Sequence, residues 1–133
     1  MRYLILAAFI NLYTPFVDSF TATHKAALER VAPGIEVSLV FTETPLYIGT
    51  QRALAITRWT GFEWQTAVDW RWLQGKGEEL THIVAVHEAC HLVPEARPRL
   101  MSGELLEGDA RSRLEMAAEK CRMMYEASVA AEE

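Results

Sequence analysis

Hydrophobic and polar positions along this chain switch between two periods, and the switches predict its elements. Tyr3 to Tyr13 is almost continuously apolar, the pattern of a central strand covered on both faces. Thr14-Pro15 then supplies a helix N-cap and a proline at the first helical position. Val17, Phe20, His24, Ala27, Leu28 and Val31 recur at helical spacing, and Pro33-Gly34 stops that helix. Ile35, Val37, Leu39 and Phe41 alternate with Glu36, Ser38 and Thr42, which predicts a strand with one polar side. A turn-rich patch from Thr44-Pro45 to Gly49-Thr50 leads to a third strand around Ala53 to Trp59.

Thr60-Gly61 marks a hairpin into the most regular segment of the chain. From Phe62 to Trp72 the even positions are Phe62, Trp64, Thr66, Val68, Trp70 and Trp72, while Glu63, Gln65, Asp69 and Arg71 are polar. That period of two predicts a strand. Gly75-Lys76-Gly77 breaks it, and Glu78 and Glu79 suit the positive start of a helix whose Leu80, Val84, His87 and His91 share one face. Pro94 ends this helix. A loop to about Met101 precedes a long final helix with Leu106, Ala110, Leu114, Ala117, Cys121 and Met124 as its inward stripe. The order predicts an α+β fold: a twisted, mixed four-stranded sheet (β-α-β-β-β), then the His87–His91 helix and a long C-terminal helix.

Composition bounds the picture without changing it. The 133 residues are half apolar and 23% charged, which fits a single folded domain spanning residues 1–133 and excludes a disordered chain. A net charge of −5 leaves no basic excess for a phosphate backbone, so nucleic acid is not an expected partner. The opening MRYLILAAFIN has the ingredients of a secretory signal, but a single basic residue precedes a short apolar run and no small-x-small cleavage site follows. The strand reading is preferred there, with secretion as the alternative to a cytoplasmic setting. The run is also well short of the ~20 apolar residues of a membrane span. Cys90 and Cys121 form no spacing motif and leave the redox compartment open. Monomer and homodimer both remain open.

Two of the four histidines change the reading. His87-Glu88-Ala89-Cys90-His91 is HExxH. Histidines one helical turn apart point the same way and can bind one zinc ion through imidazole nitrogen, and the glutamate between them can act as general base on a bound water. The motif falls on the inward face of a helix called for by periodicity alone. Two histidines and a glutamate satisfied by core neighbours would be a costly way to build an apolar face. Cys90 sits about 100° off the metal-facing direction and is expected to be a packing residue. His82 is off the metal face, and His24 on the first helix is expected to be a satisfied core histidine.

With HExxH and the β-α-β-β-β-α order leading to it, the chain resembles the zincin superfamily of metallopeptidases, in a minimal single-domain form. The resemblance implies a zinc metalloprotease that hydrolyses peptide bonds, with zinc on His87, His91 and a third ligand, and Glu88 as the catalytic base. It also implies an edge strand before the motif helix, here Phe62 to Trp72, that runs beside a peptide substrate; Trp64, Trp70 and Trp72 serve there either as packing residues or as a substrate shelf. The metzincin extension HExxHxxGxxH is absent, since Pro94 and Arg97 occupy its positions. Leu100-Met101-Ser102 fits either a methionine turn or an ordinary core methionine. The gluzincin branch takes its third ligand from a glutamate on the next helix. Glu107 joins the inward stripe of the final helix and is the expected ligand, with Glu95 as the alternative, while Glu104, Arg111, Glu115 and Arg122 share a face expected to be solvated. The rival expectation is a non-catalytic binding or regulatory protein on the same scaffold with a vestigial or structural zinc site, because so short a chain has little room for a second wall to the cleft.

Overall fold

A single helix, α1 (Arg2–Val31), opens the chain in the computed structural model, which describes residues 2–133 except 103–107, with side chains described from residue 12 onward. The strand expected over Tyr3 to Tyr13 and the helix start at Thr14-Pro15 are therefore both overturned. An unbroken apolar run fits a buried strand and a buried helix equally well, and Leu4, Leu6, Ala7 and Ala8 are strong helix formers. Pro15 lies inside α1 rather than at its start. A proline there costs about 3 kcal/mol. Packing around it offsets that cost: Phe16 and Phe20 are buried, and Tyr13 meets the Trp70 ring edge-on at 4.8 Å.

The strands follow as β1 (Val37–Thr42), β2 (Leu46–Ile48), β3 (Gln51–Ala53), β4 (Ala55–Trp59) and β5 (Trp64–Asp69). The fold is mixed α+β as expected, but the sheet differs in detail. Three strands form it in the order β1-β5-β4, with β1 parallel and β4 antiparallel to β5. β2 and β3 form a separate antiparallel ribbon in the patch expected to be turns, joined at Gly49-Thr50, where Gly49 adopts φ 62°.

Along β5 the alternation holds, with Trp64, Thr66 and Val68 buried on one face. It does not extend to residue 72. Asp69 accepts from the Trp72 backbone N–H and caps a short helix, α2 (Trp70–Lys76), that carries Trp70 and Trp72. Gly77, at φ 104°, then turns the chain into α3 (Glu78–Cys90). A short α4 (Arg97–Met101) occupies the expected loop, and α5 (Gly108–Glu132) closes the chain.

α1 and α3 pack together on the sheet. Ala27 and Leu28 of α1, with Ala32 just after it, meet Val86 and Ala89 of α3 over Trp64, while Phe16 and Phe20 meet Ala85, Val68 and Leu73. α5 packs on this core through Ala118, Cys121 and Tyr125, and its Leu114 is buried as well. The expected stripe through Ala117 and Met124 is corrected: Met124 is 66% exposed, and the buried ridge follows 3-4 spacing one position on. Leu106 lies outside the described residues. Cys90 and Cys121 form a disulfide that joins α3 to α5. No helix among the described residues is long and apolar enough to cross a membrane.

His24 is buried in this helical layer as expected, stacked on Phe20 at 6.0 Å, but its Nε2 has no partner among the described residues. Burial disfavours the charged ring and lowers its pKa from 6.5 to about 4. The unfolded chain therefore binds a proton first as pH falls, so this contribution to stability is present above 6.5 and is lost on the way down to about 4. The shift corresponds to about 3 kcal/mol. Urea denaturation in the presence of chelator is expected to show an acid-induced loss of stability smaller by that amount in His24→Leu. Parallel pH profiles for the two proteins would refute this assignment.

Candidate metal centre

The site is built on the last turn of α3. His91 still donates its backbone N–H to the His87 carbonyl at 3.2 Å, so the two histidines keep helical spacing and their ring centroids stand 4.8 Å apart. Glu88 projects from the same turn toward the sheet and is 4% exposed. Ligand atoms of His87, Glu88 and His91 lie within 4.8 Å of one another.

Glu88 is positioned by threonines on facing strands. The Thr57 hydroxyl of β4 lies 3.2 Å from Glu88 Oε1 and 2.8 Å from the Thr66 hydroxyl of β5. A carboxylate can only accept, so Thr57 donates to Glu88 and Thr66 donates to Thr57. Glu88 Oε2 is left on the histidine side, 3.8 Å from His91 Nε2.

The third side comes from α5. Glu115 places Oε2 2.7 Å from His87 Nε2 and Oε1 3.4 Å from His91 Nε2, so one carboxylate spans both rings. Glu119, one turn on, lies 3.0 Å from His87 Nδ1. Arg111 pairs with Glu115 at 2.7 Å and Arg122 pairs with Glu119. Burial opposes a charge on His87, but the hydrogen bond to Glu115, the nearby Glu88 charge and the hydrogen bond to Glu119 outweigh it and raise the pKa. Burial likewise works against ionised Glu115, and its bonds to His87 and His91 with the Arg111 charge overcome this and hold it far below the usual range. Arg122, opposed by desolvation and helped by His87, lowers Glu119 to about 2.

The HExxH residues thus come together as the sequence predicts. Glu107 lies outside the described residues. Glu95 is exposed in the turn after α3. Glu115 was expected on a solvated face, yet it borders the buried Leu114–Ala118 ridge and meets both histidines. The available signal was the series Arg111, Glu115, Glu119 and Arg122, which puts acids one turn apart with a cation at each end. Met101 is 49% exposed at the end of α4, so it is neither a core methionine nor buried beneath the histidines. His82 pairs with Glu126 of α5, away from the site.

The centre opens onto a cavity of about 660 Å³ whose other wall is residues 51–55, with Arg111 and Met116 at the α5 side. This moves the expected substrate strand. β5 is interior to the sheet and has no free edge; the edge strand beside the cavity is β4. Trp64 and Trp70 are core residues, not a shelf.

Two imidazoles and a carboxylate are a donor set suited to zinc. Tetrahedral zinc with bonds near 2 Å needs donors roughly 3.3 Å apart; Glu115 Oε1 stands 3.4 Å from His91 Nε2, while Oε2 is at hydrogen-bonding distance, 2.7 Å, from His87 Nε2. The chemistry of this donor set suits a divalent metal ion. Comparison with known protein families, curated proteins and solved structures gives no match to this chain.

Proposed function

We propose that this chain is a small zinc-dependent peptidase of zincin type, with His87, His91 and Glu115 holding the metal and Glu88 as general base. The observation that carries the reading is the convergence of both Nε2 atoms on one α5 carboxylate, beside a buried glutamate and an open cavity. Bound there, zinc would act as a Lewis acid on the scissile carbonyl and lower the pKa of water. Thr57 fixes Oε1 of Glu88, so Oε2 is the atom that takes the proton of the attacking water and passes it to the leaving amine. Glu119 on Nδ1 of His87 orients the ring so that Nε2 points at the Glu115 carboxylate and would be the nitrogen offered to a metal. A peptide substrate would lie in the cavity beside β4. The Cys90–Cys121 disulfide favours an oxidising compartment over the cytoplasm.

Metal analysis after zinc loading and dialysis is expected to give one zinc per chain. Glu115→Ala should weaken zinc affinity by at least tenfold, whereas Glu95→Ala and Glu107→Ala should leave it unchanged. A chain that takes up no zinc sinks the reading, and loss in Glu107→Ala alone restores Glu107 as the ligand.

One observation favours a second reading, a non-catalytic binding or regulatory protein with a vestigial or structural zinc site. With Glu115 and Glu119 on its ring nitrogens, His87 is already complete as an ion-paired fastener between α3 and α5. Stoichiometric zinc without hydrolysis of an unfolded protein substrate would decide for it.

A further inference from the structure

Arg52 of β3 forms part of the cavity wall opposite the HExxH helix. Its guanidinium is held on two sides. One nitrogen donates to Asp69 Oδ2 at 2.8 Å, and the group lies 4.1 Å above the centre of the Trp72 ring. Asp69 is buried and spends its other oxygen on the N-cap of α2, so this anchor is fixed by the fold. Among the described residues Asp69 is the sole hydrogen-bond acceptor of Arg52, whose side chain stays 40% exposed. A guanidinium carries five donors in a planar fork, so a pinned and half-exposed one presents unused donors in a set orientation.

The electrostatics of the cavity point the same way. The protein carries a net charge of −5. Counted with Asp69, the partner of Arg52, the cavity has Arg52 and Arg111 against Asp69, Glu88 and Glu115, and a divalent ion on the histidines would leave it with an excess of one positive charge. Lys76 lies 5.2 Å from the centre of the same Trp72 ring. A concave site of one sign within a surface of the other focuses field on an incoming anion. Arg111 is engaged by Glu115 and Arg52 by Asp69, but among the described residues Arg52 makes that one hydrogen bond only and keeps its remaining donors exposed at the cavity wall.

We propose that the cleft selects peptides that bear a carboxylate and that Arg52 receives it. The proposal rests on the peptidase reading and gives its substrate class. The carboxylate belongs either to an acidic side chain or to the peptide C-terminus, and the chemistry Arg52 offers is the same for both.

Zinc-loaded Glu88→Gln protein allows binding to be read without cleavage. Calorimetry would compare two pairs of otherwise neutral peptides: Glu against Gln at one position with an amidated end, and a free against an amidated C-terminus. In at least one pair the acid is expected to bind on the order of tenfold more tightly than its amide, and the pair that does so identifies the source. Arg52→Met should erase the difference while zinc content and amide-peptide affinity stay constant. Arg52→Lys, which keeps the cation and its Asp69 pair, should retain part of the difference and serves if the Met variant folds poorly. Equal affinities within both pairs, or a preference that survives Arg52→Met, overturns the proposal and leaves the peptidase reading standing. Failure of every peptide to bind while zinc is held overturns both.

Discussion

Glu88→Gln is expected to lower kcat/KM for peptide hydrolysis by about a thousandfold, the middle of the range for a positioned general base. Zinc should remain at one per chain. The substitution is chosen for shape: glutamine keeps an oxygen for the Thr57 hydroxyl, so the side chain stays seated between β4 and α3. Glu88 is 4% exposed, and a neutral amide is easier to bury there than a carboxylate, so folding stability should be unchanged or higher. A fall in activity with intact fold and intact metal then isolates proton transfer. Full hydrolysis by the variant would remove Glu88 from the chemistry and leave HExxH as a structural feature.

The parts of this site that were legible from the residues alone are those set by local periodicity. His87, Glu88 and His91 lie within five consecutive residues of one helix, so 3.6-residue geometry brings them together whatever the rest of the chain does. The inward face of β5 was legible for the same reason, because Trp64, Thr66 and Val68 bury one side of a pleat. Failures came where two structures share one pattern or where contact depends on tertiary docking. The apolar start of the chain fits strand and helix alike. Trp70 and Trp72 continue the alternation of β5, and the Asp69 cap that breaks it is visible only as a single acid. Glu115 was misplaced because the rotation of α5 about its axis is set by where Ala118 and Cys121 dock on the core beside α3. A helix of alanines, acids and exposed methionines carries too shallow an apolar stripe to announce that rotation.

Opening the Cys90–Cys121 disulfide is expected to cost about 3–4 kcal/mol, from the loop entropy of a cross-link that spans 31 residues. At this chain length that lowers Tm by about 10 °C. The cost should fall on α5. Besides the bridge, α5 is held by a narrow apolar ridge and by ion pairs, such as His82–Glu126 and Arg30–Glu132, whose members are partly or largely exposed and contribute little each. Because α5 also carries Glu115, zinc on His87, His91 and Glu115 would join the same two helices as the disulfide. Two cross-links between the same elements are not additive. Reduction should therefore lower Tm less in zinc-loaded than in zinc-free protein, and zinc should raise Tm more in the Cys90→Ala/Cys121→Ala variant than in the parent. Denaturation of the four forms, oxidised or reduced and with or without zinc, closes this cycle. Strictly additive shifts would mean that the metal does not bridge α3 to α5, and Glu115 would lose its place as a ligand even if zinc binds.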